Sequence, residues 1–87
     1  MDADALIATY IEENPHKPGP ADVRLIEYNI SVWVLIGSLP AFNGSAEKVA
    51  EDYEIPMEAM QAALAYYERH REVIEARLAA NRVGASL

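Results

Sequence analysis

Five prolines, at positions 15, 18, 20, 40 and 56, punctuate the first two-thirds of this chain and leave only residues 57–87 free for a long uninterrupted element. Each proline lacks an N–H and pushes its predecessor toward an extended conformation. "NPHKPGP" at 14–20 is therefore expected to be a linker with some polyproline character, and Pro40 to end a helix. "EIP" at 54–56 is expected to turn a corner.

The pieces between the prolines read mostly as helices. In residues 2–13, Ala3, Leu6, Ile7, Tyr10 and Ile11 recur three and four apart. Asp2 or Asp4 can cap that helix, while Glu12 and Glu13 oppose the dipole at its end, so it should be short and frayed. Residues 23–26 alternate and are rich in β-branched side chains, which predicts a short strand. A lone strand needs a partner, either a second short strand or its own copy in a dimer. Asn29 is a natural turn residue because it tolerates positive φ.

"ISVWVLIGSLPAF" from 30 is nearly all apolar. Ser31 as cap and a Val32, Leu35, Ile36, Leu39 stripe favour a helix. "NGS" at 43–45 is turn chemistry with Ser45 as cap of a two-turn helix, whose inward face is Ala46, Val49, Ala50 and Tyr53. From Met57 a heptad-like row runs through Met60, Leu64, Tyr67, Arg71, Ile74 and Leu78. This predicts one long helix that starts in the core and projects from it, with Arg71 spaced to pair with Glu68 and Glu75. A stop near Gly84 would leave a tail.

The expected fold is thus mainly α: a trihelical helix-turn-helix-like core with a short N-terminal strand and a long C-terminal helix. Residues 1–20 form an N-terminal helix and linker, 21–82 the trihelical domain, and 83–87 a tail. At 87 residues, about 60 % of the unfolded surface can be buried, so a homodimer is expected to complete the core.

Composition excludes several functions. The absence of cysteine rules out a disulfide framework and a thiolate metal site. The longest apolar run, at 32–39, would span roughly 12 Å as a helix, against ~30 Å of bilayer hydrocarbon. The first ten residues are acidic rather than basic, unlike a signal or transit peptide. A soluble, cytoplasmic protein with no membrane partner is expected.

Catalysis has little to work with. His16 lies in the linker and His70 on the exposed half of the long helix, and they are not spaced as metal ligands. "EDYE" at 51–54 lacks the glycine-turned loop of a calcium site and reads as a solvated face. Neither a phosphate loop nor a nucleophile–base pair can be argued. No enzyme activity, no catalytic or metal residues and no cofactor are expected.

The helix pair at 46–53 and from 57 has helix-turn-helix proportions. In such proteins the second helix reads base edges while basic residues hold phosphates. The DNA-facing candidates here are Lys48, Met57 and Gln61. Glu47, Glu51, Asp52, Glu54 and Glu58 would face or flank a polyanion, and the net charge is −7. Ten of the fourteen acids precede Met57, against Lys17, Arg24 and Lys48, so the front of the chain carries all the net charge.

"ISVWVLIGSL" followed by "SAEKVAEDYEIPMEAMQAALAYYERHREVIEARL" resembles the small bacterial proteins of domain-of-unknown-function family number 433. The resemblance covers roughly residues 23–78 and rests on the "EDY" and "AALAYY" elements in that order and spacing. This chain departs from it at Pro56, where the family usually has Ser or Thr, and in its N-terminal extension. The resemblance implies a trihelical helix-turn-helix domain that acts as an antitoxin against a PIN-like ribonuclease toxin. Such nucleases hold metal with clustered carboxylates, which an antitoxin can neutralise by presenting arginine. Arg77 and Arg82, with Leu78 and Val83 as apolar anchors, are the partner-binding candidates. The alternatives are a DNA-binding regulator that reads an operator through Met57 and Gln61, or a structural protein. A restrained nuclease and autoregulatory operator binding are compatible with one another.

Overall fold

A computed structural model describes residues 2–86, with side chains described for residues 2–82. The protein is mainly helical, with one two-stranded sheet. Helix α1 (Ala3–Tyr10) opens with the Asp2 carboxylate accepting from the Ala5 N–H at 2.8 Å. It stops short of the expected end at 13. Ile11 and Glu12 turn extended and form β1 (Ile11–Glu12), antiparallel to β2 (Arg24–Leu25). The physical reason lies across the sheet. Glu12 would be unfavourable at a helix C-terminus, but in the strand it sits opposite Arg24 and binds its Nε at 2.8 Å.

The 14–19 segment is a tight turn rather than a polyproline linker. Asn14 accepts the His16 N–H on its side chain at 2.9 Å and the Lys17 N–H on its backbone carbonyl at 3.2 Å. Gly19 takes φ 119°, a value that only glycine adopts without strain, and donates to the Glu13 carboxylate at 2.9 Å. A 3-10 turn (Pro20–Asp22) leads into β2.

Both edges of β2 are taken within the chain. On one side Ile26 N–H donates to Tyr10 O at 2.9 Å. On the other, Leu25 N–H donates to Ile30 O and Val32 N–H to Val23 O, at 2.9 and 3.0 Å, after a turn with Asn29 at φ 55°. Pairing of this strand with its copy, one expected route to a dimer, is therefore unavailable.

Helix α2 (Val32–Ser38) buries Val32, Leu35 and Ile36, with Ser31 at the cap position but making no side-chain capping bond. A 3-10 turn (Leu39–Phe42) and the left-handed Asn43 lead to α3 (Ala46–Asp52). Ser45 caps α3 through the Lys48 N–H at 3.2 Å. Helix α4 (Met57–Arg69) follows Pro56, which supplies no side-chain cap.

The row from Met57 is not one helix. At His70 the backbone leaves helical geometry (φ −130°, ψ 38°), and α5 (Arg71–Ser86) starts in a new direction. The first half of α5 packs on α2 and on the 20–22 turn, where Ile74 is fully buried, while residues 79–82 are exposed. Nor does Gly84 stop it, since the helix runs to Ser86 across most of the expected tail. Leu25, Val32, Leu35, Val49, Met60 and Ile74 form the heart of the core. Around α4 pack α1, α2 and α3, so the N-terminal helix belongs to the same body as the trihelical unit.

Candidate functional site

Two surfaces carry the sequence candidates. The first is the helix-turn-helix face of α3 and α4. Lys48 and Gln61 are exposed there and Met57 is half-buried. Helix α1 runs antiparallel along α4: Tyr10 donates its hydroxyl to Glu58 at 2.8 Å, and Asp4 pairs with Arg69 near the other end. Positions 58 and 69 lie three helical turns apart on one stripe of α4. The side of the second helix that includes Glu58, where base reading would begin, is thus lined by another helix. The hydrogen bond to Glu58 is also what holds the Tyr10 hydroxyl above its usual pKa.

Glu47, Glu51, Asp52 and Glu54 are exposed around this face. Phe42, Lys48, Glu51 and Asp52 border a shallow depression of about 240 Å³. Lys48 is the only cation on α3. The turn from α3 to α4 passes through Glu54 at φ 57° with Ile55 buried beneath it, so its acids are presented on a fixed corner.

The second surface is a groove of about 900 Å³ between α2 and α5. Trp33, Val34, Leu39 and Pro40 line it from the α2 side, and Glu75, Leu78, Asn81 and Arg82 from α5. Leu78 closes against Gly37: a Cβ at that glycine would lie 2.7 Å from the Leu78 Cδ2. The absence of a side chain at 37 is what lets the two helices approach here. Tyr67 donates to Glu75 at 2.8 Å, which raises the Tyr67 hydroxyl's pKa. Arg71 pairs with Glu68 at 3.0 Å and lies 4.9 Å from the Tyr67 ring centre. The expected Arg71–Glu75 pair gives way to Glu75–Tyr67.

Of the four partner-binding candidates, two are engaged inside the fold. Arg77 Nε meets the Asp22 carboxylate at 3.2 Å, and its guanidinium lies 4.2 Å above the Trp33 ring, with both ion-pair side chains less than a quarter exposed. Leu78 is half-buried against α2. Arg82 is exposed on the groove rim. The side chain of Val83 lies outside the described residues. Asp22, Trp33 and Gly37, which complete this surface, were not singled out by their sequence context. The lone tryptophan inside an apolar run was the one available signal.

His16 is exposed on the 14–19 turn, whereas His70 is partly exposed and stacks one face on Tyr66 with ring centres 4.2 Å apart. Among the described residues, no group of three or more His, Asp or Glu side chains could hold a metal ion, and no buried polar side-chain atom lacks a hydrogen-bond partner. No described helix is long and apolar enough to cross a membrane. Compared with protein-family models, curated proteins and solved structures, the chain has no significant match.

Proposed function

We propose that the protein is a non-enzymatic interaction module of the antitoxin-like kind, one that binds and restrains a PIN-like nuclease. The observation that carries this reading is the state of its helix-turn-helix. Helix α1 lies along the Glu58–Arg69 stripe of the second helix, Gln61 stays exposed beside it, and the surrounding corner presents carboxylates instead of cations. A polyanion is repelled by such a face, whereas the basic surface of a nucleic-acid enzyme is attracted to it. The nuclease class comes from the sequence resemblance.

With Arg77 engaged by Asp22 and Trp33, the arginine pair is no longer the best surface to offer such a partner. The acidic corner at Glu47, Glu51, Asp52 and Glu54 takes its place. DNA reading ranks second. Helix-turn-helix proportions and the exposed Lys48 and Gln61 favour it, and the surrounding charge opposes it.

The test is affinity purification of the tagged protein from its native cells, beside a Glu51→Lys/Asp52→Lys variant. Recovery of a nuclease near one-to-one with the parent chain, and its loss with the variant, is the expected result. Recovery without a nuclease would overturn the reading, and equal recovery by both forms would remove the acidic corner from it.

A further inference from the structure

The groove between α2 and α5 has no occupant within the described chain, and its rim is charged in a particular order. Glu75 stands toward one end and Arg82 toward the other, both on the groove side of α5. Seven residues separate them, which is two helical turns or about 10.5 Å along the axis. Between them lie Leu78 on the groove side and the exposed Ala79 beside it.

We propose that this groove is closed by a second copy of the chain, through antiparallel pairing of α5 with the copy's α5 about a two-fold axis between Leu78 and Ala79. The inference is independent of the nuclease reading. In an isologous interface, if residue i meets residue j, then j meets i. About this axis Glu75 faces the copy's Arg82 and Arg82 the copy's Glu75, so opposite charges meet twice. Leu78 faces Ala79, and Asn81 faces Ala76.

Two further observations agree. Ala79 is a small, exposed residue on the same stripe of α5 as Glu75, Leu78 and Arg82, and small side chains let two helix axes approach to about 8 Å. The floor is apolar, with Trp33, Leu39 and Leu78 only partly buried in the single chain. The charged ends also have capacity for the new bonds. Glu75 accepts from Tyr67, and Arg82 has an interaction of its own within the chain. A carboxylate nevertheless offers about four acceptor sites and a guanidinium five donors.

The experiment is sedimentation equilibrium on the intact chain, with circular dichroism as a check on folding. The parent protein is expected to dimerise. Arg82→Glu, which sets two carboxylates against each other at both ends, should weaken the dimer about tenfold or more. Ala79→Arg, which brings two cations together at the axis, should do the same. The double variant Glu75→Arg/Arg82→Glu exchanges the charges without changing their complementarity and should recover most of the affinity. Because Glu75→Arg also gives up the Tyr67 bond, the Ala79→Arg result stands as an independent reading. A parent chain that stays monomeric up to about 100 µM overturns the proposal. So does a dimer indifferent to Arg82→Glu and Ala79→Arg, or a double variant weaker than either charge reversal alone.

Discussion

At Arg77 one planar guanidinium meets a carboxylate at its edge and an indole on its face. Lysine can supply the charge but neither the planar stack nor the fork. Arg77→Ala should cost about 1–2 kcal/mol, from a partly buried ion pair plus a cation–π contact, and Arg77→Lys about half of that. Urea unfolding followed by circular dichroism gives the order directly, and equal losses would mean that charge alone matters. Tyr66 works by a different route. Its hydroxyl donates to Pro20 O at 2.7 Å, and burial raises its pKa. The folded state therefore holds this proton more tightly than the unfolded state does. The resulting stabilisation is complete below the ordinary tyrosine value of about 10 and is lost as pH rises through the higher folded value. Tyr66→Phe should cost about 1 kcal/mol near neutral pH by removing the hydrogen bond. It should also flatten the alkaline loss of stability above pH ~10, though only in part, because Tyr10 and Tyr67 are shifted the same way.

Among the elements, α1 is more than an appendage. Leu6 is 8 % exposed, and α1 packs along α4. Leu6→Ala should lower stability by roughly 2–3 kcal/mol, read as a shift of the urea midpoint with unchanged slope. A shift near zero would mean that α1 is dispensable to the fold. The elements differ in how far local sequence reveals them. Helix α3 was legible from "NGS" and its cap, and the turn at Asn29 from its tolerance of positive φ, because the causes lie within a few residues. The β1 strand was not, since its cause is Arg24, twelve positions away. The break at His70 carries no proline or glycine to announce it. The contacts of α5 require it, since Ile74 must reach the core and Arg77 must reach Trp33. The heptad-like row also favoured large residues, whereas the fully buried positions of α4 include Ala59, Ala62 and Ala63. Three helices crowd α4, and small side chains allow that approach. As for the candidate surfaces, the exposure of the acids at 47–54 was legible from their run in the sequence, whereas Arg82 was named only through the resemblance. The engagement of Arg77 was not, because Asp22 lies 55 residues away.

For the molecule as a whole, the radius of gyration is 12.3 Å, against about 12 Å for a compact chain of this length. Helix α1 and the first half of α5 are both packed on this body. A net charge of −7 on so small a body gives a field that opposes any phosphate backbone. Titrating a labelled DNA duplex should therefore give no saturable change in fluorescence anisotropy at about 100 mM salt. Binding that weakens steeply with added salt would restore the DNA reading. One further property arises from where the single tryptophan sits. Trp33 stands on the groove wall with a guanidinium over its ring. Its emission colour and quenching are set by the water and charge immediately around it, so the protein contains its own optical gauge of the groove. Any occupant that displaces water there should be visible as a blue shift, without a label.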